Sequence, residues 1–592
     1  MPGEPMLWSG WGDPALAREL PEQVRALLRD FLGVRAPDVP AVGLESVRLP
    51  TVALPEPLLG ALAETVGSAY VLTSHEVRVR HTRGKSTPDL LRMRAGDGSA
   101  APDAVVLPGS HEEVAELLRL CSAERVAVVP FGGGTSVVGG LTASGSGFAG
   151  VIALDLGRLD RLRSVDLESH VATFEPGVRA PEAERLLAPY GLTLGHFPQS
   201  FEYATLGGFA AARSSGQASA GYGRFDDMVV GLTVATPTGT LDLGRAPKSA
   251  AGPDLRQLML GSEGAFGVIT SLRLRVRRAP GERRFEGWRF GTFAEGTAAV
   301  RALAQEGPLP AVLRLSDETE TMIGLAKPDT IGSGSSGCLL IAGYESPPSS
   351  TTEPPSSAPA LPASASASTE GASPLTPDQA PTATSARALL SDGTSALDGV
   401  SSVGGQAGSG WGSVAARRSG AAAVLARMGG EPLGTEPGEA WERGRFSAPY
   451  LRDSLLAAGA TVETLETAGF WANLPRLYDA VRLALIGALG SPLVMCHISH
   501  VYETGASLYF TVVTAQEGDP VGQWERAKEA VNAAIVEAGG TITHHHGVGR
   551  DHRDAYAAEL GPVGVSILQA VKARLDPTGI LNPGALIPPP TA

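Results

Sequence analysis

This chain of 592 residues has few cysteines, few aromatic residues and no excess of basic charge. Its three cysteines, Cys121, Cys338 and Cys496, form no C-x-x-C pair, which excludes a disulfide scaffold and a thiolate zinc site and suits a reducing compartment. Lysine and arginine total 48 against 62 acidic residues, and the net charge of -14 argues against a nucleic-acid partner. Because neither a secretion signal nor an apolar run of about 18 residues is seen, we expect a cytoplasmic protein.

Glycine and proline, by contrast, are abundant, with 74 and 45 residues. Part of this excess falls in residues 347–410, which contain no Phe, Tyr or Trp and few charges. Such a segment cannot bury enough apolar surface to offset the entropy lost on ordering. We therefore expect a disordered insertion that interrupts an enzyme-sized chain, and its composition indicates no function of its own.

A strand, helix and strand unit with a glycine-rich exit begins near Pro102. Residues 105–107 form a short apolar strand, and Ser110 with Glu113 form a capping box that starts a helix at 112–123. A second apolar strand, 125–129, ends in the sequence PFGGGTSVVGG. A Rossmann fingerprint would follow the first strand and open a helix, so these glycines are in the wrong place for one.

The glycine loop at 130–136 can still bind an anion. Its backbone N–H groups can turn inward as a nest, with Thr135 and Ser136 adding hydroxyl donors. An ordinary tight turn explains three glycines about equally well. Two further segments favour a ligand: 198–216, rich in small residues and hydroxyls, and 261–270, which leads into an alternating strand. Three such loops imply one extended cofactor.

Four ordered motifs resemble those of the vanillyl-alcohol-oxidase type of FAD-binding flavoproteins: PFGGGTS, LGGFAAARSSG, GSEGAFGVITS and DPTGILNPG. The resemblance implies an α+β fold with a two-part FAD-binding domain, an α+β cap domain and a helical N-terminal region. It also implies FAD, expected to be non-covalent because the glycine loop ends in Thr135-Ser136 without histidine or cysteine, although a histidine elsewhere could still form a link. The implied cofactor-binding residues are Pro130, Phe131, Gly132, Gly133, Gly134, Thr135, Ser136, Gln199, Ser200, Phe201, Glu202, Tyr203, Ala204, Thr205, Gly207, Gly208, Ala212, Arg213, Ser214, Ser215, Glu263, Gly264, Ala265, Phe266, Gly267, Val268 and Ile269.

The same resemblance divides the chain into regions. Residues 1–100 are mainly helical, 101–281 bind FAD, 282–346 and 411–540 form two parts of the cap, 347–410 are the insertion, and 541–592 complete the FAD site. Two helices are predicted in the first region from apolar residues at helical spacing: Val24, Leu27, Leu28 and Phe31, then Leu58, Leu62 and Val66. We expect both helices to pack on the cap.

Within this class, four further motifs resemble the alkyldihydroxyacetonephosphate synthases, or alkylglycerone-phosphate synthases: LWSGWGD at 7–13, YLRD at 450–453, ASLYF at 506–510 and THHHGVGR at 543–550. The resemblance implies an FAD-dependent transferase that exchanges the acyl group of acyl-dihydroxyacetone phosphate for a fatty alcohol. This forms the ether bond of ether lipids with no net redox change. The implied partners are a phosphorylated lipid and a fatty alcohol, while peripheral membrane contact and a homodimer are left open.

Tyr509 is the candidate base. Removing a proton beside a ketone needs a positioned base, and a phenol can serve if cationic or imidazole neighbours lower its pKa. A strand predicted at 507–513 would place Tyr509 and Thr511 on one face. For an unselected strand tyrosine, a half-buried aromatic is the usual explanation. The resemblance implies instead that Tyr509 is the catalytic tyrosine of the family.

Three consecutive histidines, His544, His545 and His546, follow a helix predicted at 521–538. An extended segment would place His544 and His546 on one side and His545 on the other, so the three would not share one role. No metal is expected, because no nearby carboxylate or cysteine completes a ligand set. The resemblance implies that these residues handle protons and orient the substrate near the flavin.

Two arginines are candidates for substrate binding. The resemblance implies that Arg452 binds the phosphate, a role suited to a bidentate guanidinium. The alternative is a surface arginine paired with Asp453 or Glu442. Arg314, in the sequence VLRLSD, matches another arginine important for activity in the family, and whether its role is structural or direct is left open.

Two other functions stay open at this point. An FAD-dependent 2-hydroxyacid dehydrogenase or oxidase of the D-lactate or glycolate type would share the glycine loop and DPTGILNPG, use a histidine base and pass hydride to the flavin. A flavin-binding protein without catalysis fits less well with a base, an anion clamp and a histidine cluster in one chain.

Overall fold

The structure is a computed structural model that describes residues 6–17, 19–35, 40–142, 144–324, 336–346 and 413–589. The insertion predicted at 347–410 lies outside the described residues. The α-helices are α1 Glu22–Leu32, α2 Glu56–Val66, α3 His75–Arg80, α4 Thr87–Arg94, α5 His111–Ala123, α6 Ala180–Leu187, α7 Leu206–Ala212, α8 Ser219–Tyr222, α9 Phe225–Met228, α10 Leu255–Met259, α11 Phe293–Glu306, α12 Glu318–Ile323, α13 Val414–Arg427, α14 Glu436–Gly444, α15 Ala448–Ala457, α16 Leu474–Leu489, α17 Pro520–Glu537 and α18 Arg553–Leu575.

The strands fall into three larger sheets and one short pair in the described ranges. They are β1 Val71–Leu72, β2 Ala104–Val106, β3 Val126–Phe131, β4 Gly150–Asp155, β5 Leu162–Asp166, β6 Val171–Phe174, β7 Leu192–Thr193, β8 Val229–Thr236, β9 Gly239–Leu243, β10 Val268–Arg275, β11 Arg277–Arg278, β12 Glu282–Phe290, β13 Val312–Ser316, β14 Cys338–Ser346, β15 Glu431–Gly434, β16 Ala460–Phe470, β17 Leu493–Ile498 and β18 Gly505–Ala515.

The first sheet contains the strand, helix and strand unit expected from the sequence. Its order is β1-β2-β4-β3, and β4 runs parallel to both β2 and β3. Helix α5 begins at the predicted cap, where the Ser110 hydroxyl accepts the Glu113 N–H. The Glu113 carboxylate accepts from Gly109 N rather than closing the box on Ser110. Strand β3 delivers the glycine loop to the edge of the sheet.

The second sheet is antiparallel, with the order β5-β6-β10-β8-β9. It receives the third ligand-type loop, because Gly267 leads directly into β10. Apart from β1, the strands of the first two sheets fall within the region predicted at 101–281, and the bounds of that domain stay a prediction.

The third sheet is the cap, with the order β15-β12-β14-β13-β17-β18-β16. Its strands come from both sides of residues 347–412, and helices α11, α13, α16 and α17 contribute side chains to the apolar core beneath it. Strands β16 and β18 pair in register from Ala460↔Ala515 to Phe470↔Gly505. This long ladder places Tyr509 beside the cap residues described below.

The two N-terminal helices pack on different domains. Helix α1 buries Val24 and Leu28 against cap residues such as Leu455 and Met495. Helix α2 packs on the first sheet instead, through Leu62 among others, so the prediction that both helices lie on the cap is wrong for α2. Phe31 does not belong to the buried face either, since it is 80% exposed. Much of the first hundred residues is loop rather than helix.

The C-terminal segment returns to the first sheet after α18, as predicted. Val128 N donates to Ile580 O, and Asn582 N donates to Val128 O. No helix within the described ranges is both long and apolar enough to cross a bilayer.

Candidate active site

One cavity of about 560 Å³ is lined by all three of the loops singled out in the sequence. The predicted cofactor-binding residues on its wall are Pro130, Phe131, Gly132, Gly133, Gly134, Thr135, Ser136, Gln199, Ser200, Ala204, Thr205, Gly207, Gly208, Ala212, Ser214, Ser215, Glu263, Gly264, Gly267, Val268 and Ile269. The loops therefore form a single cradle, although residues 137–197 and 217–260 separate them in the chain.

Close backbone packing between the first two loops explains why glycine is needed there. A Cβ atom on Gly133 would lie 2.2 Å from the carbonyl oxygen of Tyr203, which is backbone and cannot move aside easily. Gly134 has φ +69°, a conformation that favours glycine. The second loop ends at α7, whose N-terminus is capped by Thr205 accepting from Gly208 N.

Six predicted cofactor-binding residues do not line this cavity: Phe201, Glu202, Tyr203, Arg213, Ala265 and Phe266. Phe266 is in the core of the second sheet, and the Arg213 guanidinium donates to the carbonyls of Leu260 and Gln257. Glu202 and Tyr203 line a separate small depression with Tyr450. Only part of each motif therefore faces the cavity, so the prediction is wrong for these six residues as wall residues.

Tyr509 lies on the cavity wall together with Thr511, which confirms the predicted face of β18. Its ring is stacked on His497 of β17, with centroids 4.8 Å apart, and approaches His545 and His546 at 6.0 and 5.5 Å. Burial raises the pKa of Tyr509 to about 12, and the carboxylates of Glu463 and Glu466 add to the rise. The expected lowering of this pKa is therefore wrong for this structure.

The histidine run is wound around the carboxylate of Glu466 on β16. This carboxylate accepts the backbone N–H of His544 at 2.5 Å and those of His545 and His546 at 2.9 Å, and also the hydroxyl of Thr543. Burial alone would raise the pKa of Glu466, but the three imidazoles and these backbone donors outweigh it and lower the pKa. Sequence reasoning missed Glu466.

The winding changes which imidazoles face the cavity. His545 and His546 line it, whereas His544 turns towards Tyr502, whose hydroxyl lies 2.6 Å from His544 Nε2. The predicted grouping of His544 with His546 is wrong, because the segment bends around Glu466 instead of extending. Burial lowers the pKa of His546 to about 3 and also lowers that of His545, which favours the neutral form of both imidazoles.

A fourth imidazole, His500, joins this cluster and was not predicted. Its ring stacks on His544 with centroids 4.9 Å apart, and its Nδ1 lies 2.9 Å from Ser215 Oγ and 2.7 Å from Ser219 Oγ. Among the described residues, nitrogen atoms of His500, His544 and His545 lie within 4.8 Å of one another, as metal ligands would. That no metal binds here stays a prediction.

Arg314 lies at the cavity wall in a buried ionic group with Glu320 and His497, two further residues that sequence reasoning missed. The guanidinium donates to Glu320 Oε1 and lies 3.0 Å from His497 Nδ1, while Glu320 Oε2 is 3.1 Å from the same nitrogen. Burial opposes ionisation of Glu320, yet Arg314 and His497 lower its pKa to about 2. Because His497 stacks on Tyr509, this group supports the wall beside the candidate base.

Arg452 also lines the cavity, and each of its three guanidinium nitrogens donates one hydrogen bond within the protein. Nε and one terminal nitrogen donate to Asp453 Oδ1 at 3.2 and 3.0 Å, and the other donates to the Lys85 carbonyl at 2.7 Å. Asp453 is one of the two partners predicted for Arg452 in the alternative of a surface ion pair. The pair is nevertheless not on the surface, since the Arg452 side chain is 12% exposed.

One part of the cavity wall is apolar and joins α1 to the cap. The side chains there are Val24, Leu27, Leu28, Leu32, Ile323, Leu451, Leu455, Val462, Leu493, Met495 and Val513. An acyl or alkyl chain would find a dry surface here. The cavity thus combines three small-residue loops, a tyrosine with imidazoles, a buried arginine and an apolar wall.

The fold and this cavity define an FAD-binding flavoenzyme, and two family matches agree. Residues 102–243 match the FAD binding domain, and residues 279–390 with 413–586 match the C-terminal domain of FAD linked oxidases.

The relatives identify the particular family. The chain is 30% identical to alkyldihydroxyacetonephosphate synthase of Trypanosoma brucei brucei, covering 99% of this chain and 93% of that one. It is 32% identical to the enzyme of the same name from Dictyostelium discoideum, covering 86% and 77%. A solved alkyldihydroxyacetonephosphate synthase structure matches with a TM-score of 0.73 at 26% identity over 98% of both chains. The chain belongs to the alkyldihydroxyacetonephosphate synthase family.

The residues present fit FAD. The side-chain nitrogen of Gln199 is a buried donor at the cavity wall with no partner among the described residues, as expected for a group that binds a ligand. The glycine loop adds backbone N–H groups and the hydroxyls of Thr135 and Ser136 for a pyrophosphate.

Proposed function

We propose that this protein catalyses the exchange of the acyl group of acyl-dihydroxyacetone phosphate for a fatty alcohol. The bond between C1 and the acyl oxygen breaks and a bond between C1 and the alcohol oxygen forms. The fatty acid leaves, the alcohol gives up its proton, and no net oxidation occurs. The observation that carries the proposal is the meeting of FAD-type loops, Tyr509, Arg452 and an apolar wall in one cavity.

The proton-handling role falls to Tyr509 with two imidazoles. Tyr509 is protonated at neutral pH because its pKa is raised to about 12, so it cannot act as a free phenolate. The rings of His545 and His546 lie beside that of Tyr509, so an imidazole there would receive the phenolic proton as Tyr509 takes one from C1. Glu466 fixes their backbone and so their position.

Substrate positioning is assigned to Arg452 and the apolar wall. Arg452 would hold the phosphate, with Asp453 orienting its guanidinium, and the wall formed with α1 would hold the long chain. Bound FAD supplies an isoalloxazine ring that can accept and return an electron pair. Holding the phosphate and chain together limits the motion of C1, which is where positioning lowers a barrier.

The test uses purified FAD-loaded protein with acyl-dihydroxyacetone phosphate and hexadecanol. We expect an ether product and free fatty acid in equal amounts, without oxygen uptake. A change in flavin absorbance on adding the phosphorylated substrate without any electron acceptor would agree with this. Anaerobic bleaching by D-lactate or glycolate, with no ether product, would instead favour the 2-hydroxyacid dehydrogenase or oxidase. An intact flavin spectrum with no reaction towards either class would contradict both enzymes.

A further inference from the structure

Residues 6–13, here called the N-terminal strap, lie beside Arg452, the arginine assigned to the phosphate. Lys85 Nζ donates to the carbonyl of Leu7 at 2.6 Å and lies 3.2 Å from that of Trp8. At the other end, the backbone N–H of Trp11 donates to Asp453 Oδ2. Asp453 therefore accepts a hydrogen bond from the strap with Oδ2 and hydrogen bonds from Arg452 with Oδ1.

Tight packing fixes the path of the strap. A Cβ atom on Gly10 would lie 2.5 Å from Asp453 Oδ2, and one on Gly12 would lie 2.1 Å from the Tyr450 hydroxyl. Gly12 also has φ +66°. The strap is thus held at a defined distance from α15, which carries Tyr450, Arg452 and Asp453.

Trp11 is the strap residue that reaches the cavity. Its side chain lines the cavity wall and is 5% exposed, with its ring edge-on to Tyr203 at 5.7 Å. Its indole Nε1–H is buried and has no hydrogen-bond partner among the described residues. A buried donor without a partner is costly, and indole N–H groups usually find an acceptor. A ligand acceptor at the cavity would remove that cost.

We propose that the indole N–H of Trp11 is a substrate-binding donor that, together with Arg452, binds the phosphate group of the dihydroxyacetone phosphate moiety. The proposal deepens the proposed function and rests on it. An anion is the expected acceptor, because two guanidinium groups, those of Arg452 and Arg94, interact with the single carboxylate of Asp453. Indole nitrogen can only donate, so it selects an acceptor such as a phosphate oxygen.

The test is Trp11→Phe, which keeps an aromatic ring at the wall and removes the N–H. The control is Trp8→Phe in the same strap, since Trp8 packs against Val47, Val79 and Met93 away from the cavity. We expect Trp11→Phe to raise KM for acyl-dihydroxyacetone phosphate about ten- to a hundredfold with kcat within a few fold, because binding to a charged group is lost. KM for hexadecanol and the flavin content should not change.

A binding measurement separates this proposal from the proposed function. Dihydroxyacetone phosphate is titrated calorimetrically into the FAD-loaded wild type, Trp11→Phe and Trp8→Phe. Weaker binding in Trp11→Phe alone supports the donor role, even if the wild type makes no ether product and the proposed function fails. Equal affinity of wild type and Trp11→Phe overturns the proposal, and so does an equal rise in KM for hexadecanol. Absence of binding to the wild type overturns both proposals.

Discussion

Glu466 lies directly opposite Tyr509 across the β16–β18 ladder, so one strand pair positions both the candidate base and the histidines beside it. The carboxylate receives three consecutive backbone N–H groups from the histidine run, an arrangement that only an acceptor with two oxygens and a negative charge satisfies well.

Replacing Glu466 by Gln should therefore destabilise the protein and disorder the histidine run. An amide presents a donor to backbone donors, and we expect the free energy of unfolding to fall by about 3 kcal/mol. A carboxyl whose pKa is lowered by folding contributes stability above its unfolded pKa of about 4.5, and that contribution is lost as the pH falls. Chemical denaturation at pH 7 and pH 4 should show a smaller difference between the two pH values for Glu466→Gln. Equal pH dependence in the two proteins would contradict this role.

Replacing Tyr509 by Phe should abolish the exchange while leaving yellow protein. The ring and its stacking on His497 are kept, and the phenolic proton is removed, so we expect the rate to fall by about 10²- to 10⁴-fold. Ether product and flavin absorbance are measured on the same preparation. Tyr190→Phe, outside the cavity, is the matched control. Turnover retained in Tyr509→Phe would remove Tyr509 from the mechanism.

The buried group of Arg314, Glu320 and His497 is tested by a double-mutant cycle. Arg314→Met leaves the Glu320 carboxylate buried without its cation, and we expect a loss of about 3–5 kcal/mol in the free energy of unfolding.

Adding Glu320→Gln to that variant should restore much of the stability, because the uncompensated charge is gone. Exchange activity measured on the restored double variant then separates two roles for Arg314. Recovery of both stability and rate indicates that Arg314 only supports the wall, whereas a stable but slow enzyme indicates that it acts on the substrate.

Replacing Gly133 by Ala should weaken flavin binding, because the new Cβ would lie 2.2 Å from the Tyr203 carbonyl and force the first two loops apart. Gly60→Ala is the matched control, since Gly60 lies within α2 and a Cβ there meets nothing within 4 Å. We expect colourless Gly133→Ala protein and normal flavin in the control.

Denatured wild type should release its flavin, and flavin that stays with the chain would contradict a non-covalent cofactor.

Lys85 should make stability depend on pH above neutrality. Burial lowers its pKa to about 7, and the unfolded value is 10.5. Between these values the unfolded state binds more protons, so the contribution of Lys85 raises stability with pH, by at most about 1.4 kcal/mol per pH unit. The slope of unfolding free energy between pH 7.5 and 9.5 should be smaller in Lys85→Met than in wild type. Identical slopes would show that Lys85 does not titrate there.

Local signals predicted the elements well. The capping residues around Ser110 and the apolar alternation of β10 depend on neighbours in the sequence. Helix α5 begins one residue before its predicted start, and β10 follows the third loop as expected. The three ligand-type loops were also found, since small residues and hydroxyls in a loop after a strand are a local pattern.

The site was predicted less completely, because its decisive contacts are distant in sequence. Glu466 is separated by 78 residues from the first histidine that it holds, and nothing in the run HHH indicates a bend around a carboxylate. A signal did exist, since Glu466 interrupts a strand that is otherwise largely apolar or threonine-bearing, and such a buried acid needs donors. His497 and His500 could have been noticed for a similar reason, because His497 lies within the otherwise apolar β17 and His500 follows the end of that strand by two residues.

Asn582 has a consequence for how the nucleotide cradle is completed. Its side-chain amide donates to the carbonyls of Gly140 and Glu263, one from each of two separate turns of the nucleotide cradle. This clasp comes from chain that follows the cap, more than three hundred positions after the turns that it joins. A finished cradle therefore needs chain from both sides of the cap, and a truncated polypeptide that lacks Asn582 should hold the vitamin-derived group less tightly than one that contains it.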